Sequence, residues 1–428
     1  MISIEEQLYG LSLLWSEAKY NFAFWESLDL DDWDFTYAKL LKKFNKPMGT
    51  VEYYLELSSF LALLNAGHTK ISFPDSIQKS LPIKCYYVNG RHFIANVKNN
   101  YTIPIASEIL ALNEQNFNDY LQHNVSRYCC KQPNNDYMYR AYDVIPYVEY
   151  EKEVIVSTNN GEFVLLDEND ENWKYPQKGN INETLQVLYK SKEISIFLTQ
   201  DNMAIIEILS FNNYKTAIAF YRYIDKIRNC KGIIIDIRDN RGGNSIVSTA
   251  IARAFLNKNL MIGKVKNFTH IGVYKAWGSK LELSKKNQLN HIEQKIQDIC
   301  MHNYFEEELF DLGDSNLTNI LQQPVVILTN RKTCSTAENF LMIFDISQRA
   351  IFIGETTSGT SGTPLIIPLP GGGYAEICTC EYSYPDGREF TNVGIKPHVF
   401  TTLSIEDLSR FHDSVLEKGL DYLRRNLI

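Results

Sequence analysis

The amino-acid sequence predicts an α/β fold, because strand-like and helical patterns alternate along its second half. Two of the strand-like segments, 232–237 and 325–329, contain the apolar runs 232–235 and 325–328, which are typical of strands buried on both faces of a parallel sheet. Each run leads into a helical pattern, as expected when helices cover such a sheet. We predict strands at 194–198, 204–209, 232–237, 325–329, 351–354 and 364–369. We predict helices at 213–229, at 245–256, from 336 onward and, with amphipathic spacing, at 405–427. Together these elements form an α/β core over residues 190–428.

The first part of the chain, residues 1–75, is predicted to be a helical subdomain. Apolar residues repeat at helical spacing near the start, and a strongly apolar helix is predicted over 51–64. We expect Gly67 to cap the end of this helix, since glycine readily adopts the left-handed conformation found there. His68 follows directly, before a short strand at 70–73.

Residues 76–172 change character and predict a β-rich module with one or two helices. Alternating residues at 83–88 and 92–97 flank Asn89-Gly90, which is a strong β-hairpin signal. The other elements of the module are expected at 117–121 as a helix, and near 148–157 and 162–166 as strands. A polar segment, residues 173–189, is predicted to link this module to the core.

The composition restricts the classes of function. The chain has 428 residues, of which 44% are hydrophobic and 22% charged, as in ordinary globular proteins. Its net charge is −8 and its basic residues are dispersed, which argues against nucleic-acid binding. No apolar run is long enough to span a bilayer. The first residues lack the pattern of a secretion signal, so we expect a cytoplasmic location.

The eight cysteines do not predict a metal site. Cys378 and Cys380 would share one face of a strand, but a zinc site needs about four ligands and no second pair has suitable spacing. We therefore expect reduced thiols and no metal. The glycine run 371–373 predicts a hairpin turn rather than a phosphate loop, since no Lys-Ser/Thr follows it. No cofactor is expected.

Two segments carry the chemistry of the predicted site. Ser335 falls at the turn from the strand at 325–329 into a helix, where unpaired backbone N–H groups stabilise negative charge. Gly242 and Gly243 follow the other buried strand and allow backbone amides to approach a ligand closely. A hydroxyl nucleophile beside such amides is what acyl transfer needs. We predict an oxyanion hole formed by the Thr336 amide and an amide of Gly242 or Gly243.

Ser335 also fits a purely structural role. Ser-x-x-Glu before an apolar run is a capping box, in which Ser335 would accept a hydrogen bond from the amide of Glu338. Cys334 precedes the expected helix start, and we expect it to pack rather than react. Asp236 and Arg238 are expected to hold their loop by ion pairing.

Several segments, in the same order along the chain, resemble the carboxyl-terminal processing (tail-specific) serine proteases and their tricorn-core and retinoid-binding-protein relatives. These segments are 231–243, 333–338, 353–359, 384–387 and 393–397. The resemblance covers most of the chain and implies a crotonase/Clp-protease-like strand–helix core. It also implies that the module at 76–172 is a diverged PDZ domain, which would bind a peptide as an added strand.

Two positions depart from the pattern of this family. The lysine that assists the serine of the processing proteases is replaced by Thr360, so the resemblance supports no Ser–Lys pair. The tricorn-like branch uses an N-terminal histidine instead, and His68 matches its position. The glutamate of that branch corresponds to Thr391, and Glu389 is the nearest acid. The resemblance thus implies Ser335 as nucleophile, His68 as base and Glu389 as the residue that orients the base.

Three hypotheses follow. The leading one is a serine endopeptidase that cleaves unstructured polypeptide, near C-termini in particular, and that is compatible with a homo-oligomer. The second is a catalytically silent protein that binds a peptide or an apolar ligand on the same scaffold, which the missing lysine favours. The third is a crotonase-type acyl-CoA enzyme, because a similar strand–turn–helix core can hold an oxyanion without a nucleophile.

Overall fold

The computed structural model of the protein describes residues 2–130, 137–165, 173–174, 180–256, 259–279, 289–302, 304–312, 321–360 and 362–426. The fold is α/β with a mixed central sheet, which confirms the predicted fold class at this level. The helices are α1 Ile4–Asn21, α2 Leu30–Phe44, α3 Thr50–Leu61, α4 Phe117–Tyr120, α5 Tyr137–Val148, α6 Lys215–Arg222, α7 Ile224–Arg228, α8 Ser245–Arg253, α9 Gly272–Gly278, α10 His291–Cys300, α11 Thr336–Ile346, α12 Ile405–Arg410 and α13 Ser414–Asn426.

The strands lie in several sheets of different size. They are β1 Lys70–Ser72, β2 Ile83–Val88, β3 Arg91–Val97, β4 Ile109–Leu112, β5 Gln115–Asn116, β6 Val154–Thr158, β7 Gly161–Leu165, β8 Gln186–Lys190, β9 Ile194–Leu198, β10 Met203–Ile208, β11 Gly232–Asp236, β12 Met261–Phe268, β13 Phe305–Asp311, β14 Val325–Thr329, β15 Ile351–Gly354, β16 Pro364–Pro368, β17 Tyr374–Cys378, β18 Cys380–Ser383 and β19 Val399–Phe400.

The central sheet has the strand order β19–β15–β14–β11–β10–β9–β8. Strands β10, β11, β14, β15 and β19 are parallel, and β9 and β8 extend the sheet in antiparallel pairing. Every residue of β11 and β14 is buried, which explains the apolar runs at 232–235 and 325–328. Because these two strands are parallel neighbours, their carboxyl ends meet at the same edge of the sheet. The segments that follow them are therefore brought together.

Helices cover both faces of the central sheet. On one face α6, α8 and α11 contribute to a large apolar cluster that includes Phe220, Ile251 and Phe340. On the other face α13 packs on β11 and β14 through Leu416, Leu420 and neighbouring residues. This helix approaches closely, since a Cβ atom at Gly419 would lie 3.0 Å from Leu328 and 3.1 Å from Ile234.

The N-terminal helices share a core with part of the C-terminal half. Apolar side chains of α1 and α3 pack against Ile367, Ala375 and Ile377 of the β16–β17 hairpin, and β1 pairs with β17. The predicted hairpin at 371–373 joins β16 to β17. Helix α3 continues into a short 3-10 helix, Ala62–Leu64, whose end differs from our prediction: Asn65, not Gly67, adopts the left-handed conformation, with φ of 49°. Asparagine tolerates this conformation better than other residues with a side chain.

The segment 83–165 has an apolar cluster of its own. The predicted hairpin is present, with β2 and β3 joined at Asn89 and Gly90, both of positive φ. The strand predicted from 148 was wrong in its start, because residues up to Val148 form α5 and the strand β6 begins at Val154. In α5, Ala141 and Ile145 are fully buried on one face of the helix. The PDZ relationship of this module stays a prediction, as do the predicted domain boundaries.

The predicted linker 173–189 lies partly outside the described residues, and its last part forms the edge strand β8. The helix predicted at 213–229 is two short helices, α6 and α7. The helix predicted at 405–427 is also interrupted. Phe411 takes a left-handed conformation with φ of 55°, and this break allows the carboxylate of Asp413 to turn into the protein.

Asp413 completes a buried ion triad beneath the carboxyl end of β11. The guanidinium of Arg238 donates to Asp413 Oδ1 and Oδ2, both at 2.7 Å, and to Asp236 at 2.9 and 2.6 Å. All three side chains are almost fully buried. The predicted ion pair of Asp236 and Arg238 is therefore present, with a third member that the sequence pattern did not indicate.

We predict that Arg238→Met lowers the free energy of unfolding by about 3–5 kcal/mol, because it leaves two buried carboxylates without their cation. Urea unfolding followed by circular dichroism measures this change. Arg410→Met is the matched control, since Arg410 forms an exposed ion pair with Glu406 and its loss should cost less than about 1 kcal/mol. Equal effects of the two substitutions would contradict a role of the triad in stability.

Candidate active site

Ser335 lies at the turn between β14 and α11, as predicted. It is the residue immediately before the helix and has φ of 59° and ψ of −129°, a conformation that residues with a side chain rarely adopt. Such a conformation costs on the order of 1–3 kcal/mol and persists only where the surrounding structure enforces it. The side chain is half-buried. A strained serine at the head of a helix is a feature that functional sites show far more often than simple helix caps do.

The glycine turn after β11 packs directly on Ser335. A Cβ atom at Gly242 would lie 2.7 Å from Ser335 Cβ and 2.8 Å from the Thr336 nitrogen, so only glycine fits. Gly242 and Gly243 have φ of 91° and 135°, which also favours glycine. The hydroxyl of Thr336 donates to the carbonyl oxygen of Gly243 at 2.6 Å. The two predicted segments therefore form one continuous site.

Asn240 fastens these two turns together. Its backbone carbonyl accepts from the amide of Cys334 at 3.1 Å. Its side chain accepts from the amide of Gly242 at 2.8 Å and donates to the carbonyl of Ile208 at 2.9 Å. Asn240 is fully buried. We did not predict this role, although the residue lies within the segment that carries the family resemblance.

The hydrogen bond from the Gly242 amide to the Asn240 side chain narrows the choice of oxyanion donors. Since the Gly242 amide already donates to the Asn240 side chain, Gly243 is the better candidate of the two glycines. Thr336 is the first residue of α11, where backbone amides lack partners within the helix. The assignment of an oxyanion hole to the amides of Gly243 and Thr336 stays a prediction.

Glu338 is a buried carboxylate that holds the nucleophile turn. It accepts from the amides of Ser335, Gly359 and Thr360 at 3.1, 2.7 and 3.0 Å, and from the hydroxyl of Thr357 at 2.5 Å. Burial raises the pKa of Glu338 to about 8, against the opposing effect of these donors. The sequence suggested only a cap of α11. In the structure Glu338 also fixes the segment that follows β15 against the serine.

Thr360, which the sequence analysis assigned to the position of the family's lysine, lies next to Ser335 in the structure. Thr360 is buried, its carbonyl accepts from the amide of Ser335 at 2.7 Å, and its hydroxyl lies 2.8 Å from that of Ser358. Thr360 therefore helps to hold the serine in its strained conformation.

His68 lies in the turn between α3 and β1, and a chain of contacts leads from there to Ser335. The hydroxyl of its neighbour Thr69 accepts from the amide of Cys378 at 3.2 Å. A Cβ atom at Gly362 would touch Cys378, and Gly362 belongs to the segment that holds the Ser335 amide. These contacts link the turn of His68 to the segment that holds the Ser335 amide.

The imidazole of His68 lies in an unusual environment. Its Nε2 atom is buried and has no hydrogen-bond partner among the described residues. Burial, together with the charges of Arg140 and Lys70, lowers the pKa of His68 to about 4. The ring is therefore neutral at physiological pH, which a general base requires. An unpaired buried nitrogen is costly, so a ligand that bonds to it is favoured.

Glu389 is exposed and forms a β-bridge with Ser383. Its charge acts on Glu381, whereas the charges that act on the pKa of His68 come from Arg140 and Lys70. Thr391, at the position of the family's glutamate, is largely buried and its hydroxyl donates to the carbonyl of Tyr382 at 3.3 Å. The role of Glu389 as orienting acid stays a prediction.

Within the described part of the chain, no group of three or more His, Cys, Asp or Glu side chains is arranged to hold a metal ion. Within it, too, no helix has the length and apolarity needed to cross a membrane.

Residues 202–401, a little under half of the chain, match the model of Peptidase family S41, which confirms the predicted resemblance. The carboxy-terminal-processing protease of Bartonella bacilliformis is 23% identical over 186 residues, 44% of this chain and 34% of that protein. The carboxy-terminal processing protease CtpA of Bacillus subtilis is 28% identical over 204 residues, 47% and 35% of the two chains. The match thus spans about a third of each curated relative.

Solved structures extend the similarity of fold to nearly the whole chain. Mature CPAF complexed with lactacystin has a TM-score of 0.70 and 13% identity, covering 99% of this chain and 98% of that one. A peptidase structure from Parabacteroides merdae has a TM-score of 0.53 and 18% identity, covering 98% and 96%. At these sequence identities the comparison establishes a shared fold but not a shared chemistry.

We predict that Gly242→Ala destabilises the protein by about 1–3 kcal/mol, because the added methyl group would overlap Ser335 and the backbone is left-handed. The free energy of unfolding in urea measures this effect. Gly49→Ala is the control, since no atom lies within 4 Å of a Cβ at that position. If Gly242→Ala were as stable as Gly49→Ala, the close packing of the two turns would be incorrect.

Proposed function

We propose that the protein is a serine endopeptidase that cleaves unstructured polypeptide through an acyl-enzyme on Ser335, with His68 as the base. The observation that carries the proposal is the packing of the Gly242 turn against a strained Ser335 at the head of α11. This packing supports the Ser335 hydroxyl as a nucleophile that works with the backbone amides of Gly243 and Thr336. A peptide carbonyl between them could be attacked and stabilised at the same time.

The proposed reaction has two halves. As Ser335 Oγ attacks the carbonyl carbon, its proton passes to His68, and the carbonyl oxygen becomes negative beside the amides of Thr336 and Gly243. His68 then gives the proton to the leaving nitrogen, the C–N bond breaks, and the new amino terminus departs. In the second half a water molecule, deprotonated by His68, attacks the ester. The carboxylic acid leaves and Ser335 regains its proton.

The substrate class follows from the relatives and from the geometry. The curated relatives are named for carboxy-terminal processing, which supports cleavage near the C-termini of polypeptides. A half-buried hydroxyl between two turns can reach only a backbone that is not already folded into a helix or sheet. We therefore propose loosely structured C-terminal segments as substrates.

One observation favours the alternative of a catalytically silent binding protein. The groups acting on the pKa of His68 are cations, which weaken it as a base, and Thr360 occupies the position of the lysine of the processing proteases. On this reading the cleft would hold a peptide without cleaving it. Labelling of Ser335 by a fluorophosphonate distinguishes the two functions, because only an activated serine reacts.

We predict that Ser335→Ala abolishes casein hydrolysis, by a factor of about 10⁶ if the serine acts as in other serine proteases. Mass spectrometry should find the fluorophosphonate adduct on Ser335 in the unmodified protein. Ser347→Ala, at the other end of α11, serves as the control and should retain both casein hydrolysis and the labelling of Ser335. Undiminished cleavage by Ser335→Ala would refute the mechanism, and an unlabelled Ser335 would favour the silent protein.

We predict that the acid limb of the pH profile of kcat/KM has its midpoint near pH 4, below the value of about 6.5 of an unperturbed histidine. The reason is that only neutral His68 can accept the serine proton. Arg140→Gln removes a cation that lowers the pKa of His68, so its midpoint should move upward. Arg127→Gln, an exposed arginine on another element, should leave the midpoint unchanged. Activity measured again at pH 7 after incubation in acid shows whether the protein has denatured. An acid limb whose midpoint is the same in Arg140→Gln as in the unmodified protein would count against His68 as the base.

A further inference from the structure

His68 lies at the centre of a four-residue turn. The amide of Thr69 donates to the carbonyl of Ala66 at 3.0 Å and closes this turn, so Gly67 and His68 are its two central residues. Ala66, Gly67 and Thr69 are all buried. The carbonyl groups of a buried turn need hydrogen-bond donors from elsewhere in the protein. Those donors determine how firmly the turn, and with it the imidazole, is held.

Two side chains of the segment 83–165 bind the carbonyl groups of the two neighbours of His68. The guanidinium of Arg140, on α5, donates to the carbonyl of Gly67 at 2.5 Å. The thiol of Cys130 donates to the carbonyl of Thr69 at 3.2 Å. Cys130 is almost fully buried, and burial raises the pKa of its thiol, which therefore keeps the proton that it donates. The turn is thus fixed on both sides of the histidine.

A further contact joins the same turn to the C-terminal half of the chain. The hydroxyl of Thr69 accepts from the amide of Cys378, the last residue of β17, at 3.2 Å. The strand β1, which begins directly after Thr69, pairs with β17. The hairpin strand β17 therefore holds the end of the turn, while Cys130 and Arg140 hold it from the segment 83–165.

The position of the His68 ring depends on this backbone. Its Nε2 atom has no hydrogen-bond partner among the described residues, so that atom does not anchor the ring. A general base must come within about 3 Å of the proton that it takes. Misplacement of a reacting group by about 1 Å costs about a hundredfold in rate. Contacts that fix the turn are therefore contacts that fix the base.

The neighbouring thiol of Cys129 provides an internal comparison. Cys129 is as buried as Cys130, and both are free cysteines. The sulfur of Cys129 forms no hydrogen bond to a described residue, whereas that of Cys130 binds the turn. The two residues thus share type, location and burial, and they differ in the one contact that concerns the base.

We propose that Cys130 and Arg140 are positioning residues for His68, whose imidazole they keep where it can take the proton of Ser335. This inference rests on the proposed peptidase function. Both residues act through the backbone of the turn. Cys130 contributes a hydrogen bond without a charge, and Arg140 contributes a hydrogen bond and a positive charge, so the two have different signatures.

The first test replaces the thiol. Cys130→Ala should lower kcat for an unstructured fluorogenic peptide about tenfold to a hundredfold and leave KM unchanged, because it displaces the base and not the substrate. The midpoint of the acid limb should not move, since the thiol is uncharged. Cys130→Ser keeps a donor and should retain most of kcat, and Cys129→Ala should retain all of it.

Circular dichroism gives the folded fraction of each variant, to which kcat is normalised. Equal values of kcat in Cys130→Ala and Cys129→Ala would overturn the inference for the thiol. An equal loss in Cys130→Ala and Cys130→Ser would overturn it too, because the sulfur would then act by its volume and not as a donor.

The second test replaces the guanidinium. Arg140→Met removes both the hydrogen bond to Gly67 and the positive charge, so kcat should fall and the midpoint of the acid limb should rise. Arg140→Lys keeps a donor and the charge and should restore most of kcat and the original midpoint. A higher midpoint without a loss of kcat would overturn the inference for Arg140, because the guanidinium would then act by its charge alone.

A measurement that needs no activity separates this inference from the proposed function. If the unmodified protein cleaves no peptide, the proposed function fails, and hydrogen exchange of residues 65–70 by mass spectrometry still tests the support of the turn. Exchange should be about tenfold faster in Cys130→Ala than in Cys129→Ala, the effect of one lost hydrogen bond. Equal exchange in the two variants would overturn the inference.

Discussion

The close contact between Gly242 and Ser335 is the constraint on which the site depends. It exists because β11 and β14 are parallel neighbours, so that the segments after them leave the sheet at one edge. The carbonyl of Asn240 then binds the amide of Cys334 and keeps the two turns at a distance that only a glycine allows. The strained backbone conformation of Ser335 persists only because these surrounding contacts enforce it, since a serine does not favour this conformation by itself.

The buried charges of Glu338 and Arg238 near the site are compensated by hydrogen-bond partners. Glu338 has four donors, and Arg238 has two carboxylates. Both arrangements hold the turns of the site in place, and in both the buried charge is compensated by groups of opposite charge or by hydrogen-bond donors.

The sequence predicted the strands and the main site residues better than the contacts between distant segments. Strands β11 and β14 were evident because burial on both faces requires continuous apolar runs, and Ser335 and the two glycines were evident from their position after those runs. The roles of Asn240 and Glu338 were missed because they depend on contacts with residues far away in the chain. Helix α5 was not predicted, because its helical pattern becomes clear only when its buried face is known. The interruption at Phe411 was missed because apolar spacing continues across it.

Asp413 holds the end of β11 although 175 residues separate it from Arg238. A ribosome therefore releases the glycine turn long before it produces the carboxylate that completes the support of that turn. The buried guanidinium lacks part of its counter-charge until Asp413 has been synthesised. The support of the glycine turn is therefore completed only after both segments of the candidate site have been made.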